Sequence, residues 1–524
     1  MGVRHLPLAL VLLAAGYGQN PNPDPVSVPG GCSLWLVADD LKLPDGGRVS
    51  TWSGRCGAAG AGSDSQYHAP TYKAKMINGH AAVRFDGRSQ FMRVAQTRGV
   101  AAIYAVVRIQ DGSIYANRAV LGTAQVYFKA SNTSGNAELS YVADSGRATA
   151  EQWGVPMKLF ELMSGTVDGS GHGTSVSIGL NGAEATGSAP LKIPESFTRS
   201  KTALLMGADL YNGAPADLCA CDIAELITFD RALDSTERER VESYLERKYW
   251  PGPGNHKYVF AAFNSDDTRL RIQSSDDGLV WKDENVSHMG LQMRDPSIMF
   301  YDNAWWIAHT GCGATLDNCG GDGRNTFTIE SSRYGGMWRY RESVTAGAGS
   351  RPSTWAPEWF IDSDGSVHVF VAHAANGAGH HITEVHALDR GLKSWSTPLE
   401  LRGDFPAEAI DPFVWKTGST YHLLYSSGSC IGHAVANTIQ GEWKVTGSGD
   451  WAKWGCSWEG PFVLEVGGGR WRVYLDGTPR RLGGYFASET RDFVTFTAVE
   501  RVRTEAYGAT GYLEHGTAIR VPGH

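Results

Sequence analysis

A short turn followed by an aromatic residue recurs five times in the second half of the chain, and no other feature narrows the possible folds so far. It reads Ser275-Asp-Asp-Gly-Leu-Val-Trp281, Ser332-Arg-Tyr-Gly-Gly-Met-Trp338, Asp389-Arg-Gly-Leu-Lys-Ser-Trp395, Asn437-Thr-Ile-Gln-Gly-Glu-Trp443 and Ser488-Glu-Thr-Arg-Asp-Phe-Val-Thr-Phe496. A second series interleaves with it, in which a proline or glycine opens an apolar strand: Asp295-Pro-Ser-Ile298, Ala356-Pro-Glu-Trp359, Asp411-Pro-Phe-Val414, Glu459-Gly-Pro-Phe462 and His515-Gly-Thr-Ala518. Two series sharing a period of about 50 residues predict five units of about four strands each, the make-up of a propeller blade. The last unit stops soon after Gly516, so its outer strands have to come from 257–262 and 270–273 at the start of the domain. The expectation is a five-bladed β-propeller over 256–522, closed by joining its two ends.

The first half carries no such period. Short apolar segments at 33–37, 82–85, 102–107, 176–179 and 224–229 alternate with turn residues, the pattern of a β-sandwich. One helix is predicted over 233–249, where Asp234 and Glu237 have capping-box spacing and Val241, Tyr244, Leu245 and Lys248 share a face. Pro251-Gly-Pro-Gly-Asn255 can continue neither a helix nor a central strand and is expected to be the linker. The whole chain therefore reads as all-β, with a sandwich over 29–250 ahead of the propeller.

Residues 1–18 place Arg4 and His5 before an apolar run from Leu6 to Ala15, which is the pattern of a secretory signal. A secreted, extracellular protein follows, and the eight cysteines are expected to pair. The nearest pairs in sequence are Cys32–Cys56, Cys312–Cys319 and Cys430–Cys456, although spacing does not fix connectivity. No Cys-x2-Cys pair is present, which argues against zinc held by cysteines. Two sequons, at Asn132 and Asn285, are expected at the surface. A net charge of −8 without a basic run argues against nucleic acid or an anionic membrane as partner, and 17 tryptophans and 20 tyrosines favour a neutral ligand such as a carbohydrate.

The blade-opening residues carry the chemistry. In a propeller the first strand of each blade lines the central axis, so Asp295, Glu358, Asp411, Glu459 and His515 converge on one mouth from distant parts of the chain. Crowded carboxylates raise the pKa of at least one member, which keeps an acid protonated near neutral pH. Such a set suits glycosidic cleavage, where one carboxyl protonates the leaving oxygen and another activates water; metal binding alone is the rival reading.

Two resemblances refine this. Leu34-Trp-Leu-Val-Ala-Asp39, Val83-Arg-Phe-Asp-Gly87 and Ile223-Ala-Glu-Leu-Ile-Thr-Phe-Asp-Arg-Ala-Leu233 resemble a concanavalin-like (laminin-G-like) jelly roll, which implies either carbohydrate binding or a spacer role. Arg294-Asp-Pro-Ser-Ile298, Trp355-Ala-Pro357, Ile410-Asp-Pro412, Glu459-Gly-Pro461 and His515-Gly516 resemble the blade-opening motifs of glycoside hydrolase family 43, the arabinofuranosidase, arabinanase and xylosidase group. That likeness implies Asp295 as general base, Glu459 as general acid and Asp411 as the residue that tunes the acid, with inversion at the anomeric carbon. It implies no required cofactor, with a structural calcium near His515 as an option. Arg294, Trp355, Glu358, Trp458 and His515 are the expected substrate contacts, and α-L-arabinofuranosides the first expected substrate. β-Galactofuranosides, β-xylosides, internal arabinan bonds and a non-catalytic carbohydrate-binding role remain alternatives. The Gly-rich segment 311–325 has no counterpart in the family pattern.

Overall fold

The computed structural model describes residues 29–110, 117–132, 135–152, 159–169, 173–193, 202–265, 268–284, 293–311, 322–377, 379–477, 483–504 and 512–522. The expected signal segment, Cys312, Cys319 and the sequon at Asn285 lie outside them.

The described residues before position 235 form two eight-stranded antiparallel sheets packed face to face, with a small hairpin of Asp209–Tyr211 and Ala214–Ala216 beside them. Strand Cys221–Phe229 is the spine of the first sheet. It pairs along one edge with Ala102–Ile109, and its other edge is shared by Cys32–Val37 and His80–Arg84. Ile103, Ala105 and Val107 project from this sheet into one core with Leu121, Phe128, Leu139 and Leu204 of the second. Every strand expected from the alternating segments is present, with bounds shifted by a few residues. Cys32–Cys56 and Cys430–Cys456 are bridged as their spacing suggested, and Cys219–Cys221 forms a third bridge. Asn132 departs from expectation: it is buried, its side chain capping Asn136 N–H at 3.0 Å and donating to Glu138, so it is a turn-closing residue and not a surface acceptor.

The single α-helix among the described residues, Ser235–Tyr249, begins at Asp234 with both reciprocal bonds of the capping box. Its apolar face covers the outer side of the first sheet through Val241, Tyr244, Leu245 and Tyr249. Glu225, fully buried, fixes that docking by accepting from Trp35 Nε1 at 2.7 Å, Lys248 Nζ at 2.7 Å and Tyr249 Oη at 2.8 Å. No helix among the described residues is long and apolar enough to cross a membrane.

After the helix come five sheets that form the propeller. Blade I joins the C-terminal strand Leu513–Arg520 to Tyr258–Asn264, Leu270–Ser275 and Val280–Asp283, the closure that the truncated last unit demanded. Blades II to V are each a run of four consecutive antiparallel strands, opened by Arg294–Tyr301, Ser353–Ile361, Ile410–Thr417 and Trp458–Gly467. Short segments lace the ring: Arg402–Gly403 leaves blade III to pair in parallel with blade IV, and Arg503–Thr504 leaves blade V to pair with blade I. The repeating aromatic is the peg between blades. Trp281, fully buried, packs on Phe260 of its own blade and on Tyr474 of blade V, while Trp395 Nε1 donates to Glu342 of blade II at 2.8 Å.

The two halves meet at the helix and blade II. Arg333 pairs with Glu239 at 2.6 Å and Arg339 with Glu246, while Met337 packs among the helix residues. Between them the linker glycine Gly252 has φ +72°, and a Cβ there would lie 1.7 Å from the carbonyl oxygen of Tyr334. Gly252→Ala therefore combines left-handed strain with a backbone clash, and is expected to destabilise the junction by about 2 kcal/mol. Scanning calorimetry checks it: an unfolding profile unchanged from wild type would show that the junction does not depend on this close approach.

Candidate active site

All five inner strands carry the same irregularity. In each, one extra residue is inserted relative to the neighbouring strand, at Arg294/Ser297, Trp355/Glu358, Ile410/Phe413, Glu459/Phe462 and, in the closing strand, around His515. The first bulge residue is left-handed in four blades: Asp295 (φ 53°), Ala356 (φ 49°), Asp411 (φ 54°) and Gly460 (φ 50°). Only glycine adopts this conformation freely, although aspartate tolerates it better than most, so the bulge is a local cost retained where it re-aims side chains.

The bulge sorts the residues into levels. Those just before it, Arg294, Trp355, Ile410, Glu459 and Glu514, all line one pocket at the axis. From the bulge itself Asp295, Asp411 and His515 reach the same pocket. One level deeper stand Ser297, Glu358 and Thr517. Glu358 is buried and bonded to both hydroxyls, and burial pushes its carboxyl well above the usual range. It forms the floor beneath the pocket rather than its wall, unlike the substrate contact expected from sequence.

The polar groups are held individually. Asp295 Oδ2 accepts from Thr310 Oγ1 at 2.6 Å, and that hydroxyl in turn accepts the Ala356 N–H at 2.9 Å. Asp411 Oδ2 accepts the Gly460 N–H at 3.1 Å. His515 Nδ1 stands 3.6 Å from Asp295 Oδ1 and 3.5 Å from Asp411 Oδ1, linking the two. Its ring lies against Gly460, where a Cβ would come within 3.1 Å, so glycine makes room for the imidazole. Burial raises Glu459 to about 7, and the negative charge of Asp411 pushes the same way, while His515 pulls it down. An acid with this pKa is partly protonated at neutral pH while its neighbours supply carboxylates.

The walls differ around the ring. The Arg294 guanidinium lies over the Phe263 ring, 5.5 Å from its centroid. Trp355 stacks on His380 at 3.9 Å, and His380 is fixed by Glu408 at 2.8 Å and Ser353 at 2.6 Å. Trp458 is not at the pocket. Adjacent strand residues point to opposite faces, so placing Glu459 inward turns Trp458 into the blade, where it packs on Phe486 and donates to the Trp454 carbonyl.

Two pocket carboxyls escaped the sequence reading. Asp476 lies opposite Glu459 on the next strand, fully buried, with Oδ2 accepting the His515 N–H at 2.8 Å and Oδ1 unbonded. In sequence it reads as an ordinary Asp-Gly turn. Glu514 had a usable signal, since Glu514-His-Gly occupies the same repeat position as Glu459-Gly-Pro.

No protein-family model matches the sequence, and no curated protein does. Solved structures match part of the chain. An endo-1,4-beta-xylanase from Bacteroides thetaiotaomicron matches at 15% identity over 48% of this chain and 93% of its own, with a TM-score of 0.37. A thermostable family-43 glycoside hydrolase matches at 17% over 48% and 92%, TM-score 0.34. An exo-1,5-alpha-L-arabinanase from a bovine ruminal metagenomic library matches at 14% over 47% and 92%, TM-score 0.32. The pocket itself, rather than likenesses this faint, decides what chemistry the chain supports.

The charge coupling can be measured directly. Because the Asp411 carboxylate raises the pKa of Glu459, Asp411→Asn removes a destabiliser of the ionised form and is expected to move the Glu459 titration from about 7 to lower pH. Carbon-detected NMR of the Glu459 side chain against pH reads this. A midpoint that stays put or rises in the variant would mean that burial alone sets the value.

Proposed function

We propose that the chain is a secreted glycoside hydrolase of the family-43 kind, removing terminal furanosides or pentosides, α-L-arabinofuranosides first among them, from cell-wall polysaccharide with inversion. The observation that carries this reading is Glu459, pushed to about 7 by burial in a pocket shared with Asp295 and Asp411.

In the mechanism that follows, Glu459 gives its proton to the glycosidic oxygen as the bond to the anomeric carbon breaks. Asp295, steadied by Thr310, takes a proton from a water whose oxygen bonds to that carbon from the opposite side. Exchange with solvent then returns each carboxyl to its starting state. Asp411 touches neither reacting atom; its charge holds the acid protonated and its bond to Gly460 N–H fixes the adjoining backbone. The Trp355 face, braced by His380, offers a flat surface for a sugar ring, and Arg294 a donor for its hydroxyls.

Calcium beside His515 fits poorly. Calcium takes six to eight oxygen donors, whereas the centre of this group is an imidazole nitrogen between two carboxylates. No step is routed through a metal. The extracellular location agrees with the bridged cysteines, and the N-terminal sandwich is assigned a carbohydrate-binding or spacing role by its jelly-roll resemblance.

Proton NMR with a panel of arabinan, arabinoxylan, galactofuranosides and xylo-oligosaccharides tests substrate and stereochemistry together. The first sugar released is expected as the inverted anomer, and Glu459→Gln is expected to lower kcat by about 10²–10⁴-fold while sugar affinity remains. Initial retention would remove Asp295 from the role of base. Undiminished turnover in Glu459→Gln would remove Glu459 as the acid, and no release from any member would favour a carbohydrate-binding protein.

A further inference from the structure

Away from the pocket, the face of blade III turned toward blade IV gathers three donors. Glu384 and His386 alternate on one strand and so share a face, and His386 pairs directly with His368 on the strand beside it. Phe360, Phe370 and Ile382 of blade III carry the surrounding apolar packing against Val414 and Tyr421 of blade IV. Within this setting His368 Nδ1 lies 2.6 Å from Glu384 Oε1, and His386 Nδ1 lies 3.2 Å from the same oxygen. His368 and Glu384 are buried, and His386 is partly open to solvent.

The hydrogen-bond directions make this more than an ordinary network. Ser366 Oγ donates its one proton to Asp364 Oδ1 at 2.6 Å. It must therefore accept from His368 Nε2, 2.8 Å away, which puts a proton on that nitrogen. In a neutral imidazole so protonated, Nδ1 keeps a lone pair, and that lone pair faces the carboxylate oxygen. His386 Nδ1 points at the same oxygen. The space between the two Nδ1 atoms and the carboxyl oxygen is therefore filled either by protons, shared among the rings and Glu384, or by a metal ion. Holding the far nitrogen of a ligating histidine through a serine anchored on a carboxylate is also how proteins aim an imidazole at a metal.

The other histidine groups are built differently. His422 and His433 stack between Trp415 and Trp451 with their outer nitrogens on Thr417 and Thr446, and have no carboxylate among those partners. His380 has both nitrogens occupied by Glu408 and Ser353. Among the described residues, only His368, Glu384 and His386 bring three ligand atoms within 4.8 Å of one another.

We propose that blade III carries a zinc-type divalent metal site, with Nδ1 of His368, Nδ1 of His386 and a carboxylate oxygen of Glu384 as ligands and water completing the shell on the open side of His386. Two imidazoles and one carboxylate suit zinc and its transition-metal neighbours, and suit calcium or magnesium poorly. The ion would cross-brace the second and third strands of the blade. This site lies outside the reach of the cysteine argument, which excluded only zinc held by cysteines.

Isothermal calorimetry with zinc alone, titrated at pH 7.5 into the untagged, chelator-treated full chain, tests the proposal. One zinc per chain is expected, with calcium giving no heat. His386→Ala, at a partly exposed position that leaves the core intact, is expected to weaken binding at least tenfold, and Ser366→Ala about tenfold through loss of the aiming bond. Circular dichroism verifies that both variants are folded. Absence of zinc uptake by the wild type, or uptake unchanged in His386→Ala and Glu384→Gln, would overturn the assignment; in the first case protons balance the cluster, and in the second other histidines bind the metal.

Discussion

The bulge near the start of each inner strand, left-handed in four of the five, is the constraint on which the rest of the pocket depends. A regular strand presents alternate residues to alternate faces, so of two neighbours only one can face the axis. One extra residue breaks that alternation and lets consecutive positions, Arg294 with Asp295 or Ile410 with Asp411, line the same space. Repeating this around a ring of five concentrates far more chemistry at the axis than regular strands could. The left-handed conformation of Asp295, Ala356 and Asp411 has a cost, which the closed ring and its bonds to Thr310 and Gly460 offset.

Concentration creates the electrostatic problem that the site then uses. Asp295, Asp411, Glu459, Asp476 and Glu514 all border one small volume. Two devices keep them compatible. His515 stands between Asp295 and Asp411, so those two are linked through an imidazole. Asp476 and Glu459 are instead pushed upward by burial and by their neighbours' charge, and a neutral carboxyl adds nothing to the crowding.

How much of this was legible in the sequence depended on whether a residue belonged to a repeat. The turn-aromatic and blade-opening series gave five blades and the closure by strand Leu513–Arg520, because a periodic signal survives irregular spacing. They also brought out Asp295, Asp411 and His515, which sit in the bulge of their strands, and Glu459, which sits one residue before it. Asp476 lies on a second strand, where an Asp-Gly pair looks like any turn. Trp458 misled for a related reason: its proximity to Glu459 in sequence becomes opposition in a strand. Glu358 shares the blade-opening motif yet sits three residues past Trp355, beyond the bulge, so the motif located it on the axis without giving its depth. Asn132 matched a sequon whose burial only the tertiary structure decides.

The depth of Glu358 explains why the mouth can vary while the ring stays closed. Its carboxyl, on blade III, joins Ser297 of blade II and Thr517 of blade I. Those hydroxyls in turn accept the Trp359 and Ile298 backbone N–H groups at 3.1 and 3.3 Å. Three blades are therefore tied at a level just beneath the pocket by bonds that involve none of the residues lining it. A carboxyl that is neutral in this position donates one hydrogen bond and accepts others, which a charged one could not do without a buried counter-ion. With three blades tied below by groups outside the pocket, the level above carries arginine, tryptophan, isoleucine and two glutamates at five equivalent positions, the asymmetry that a chemically directional pocket requires.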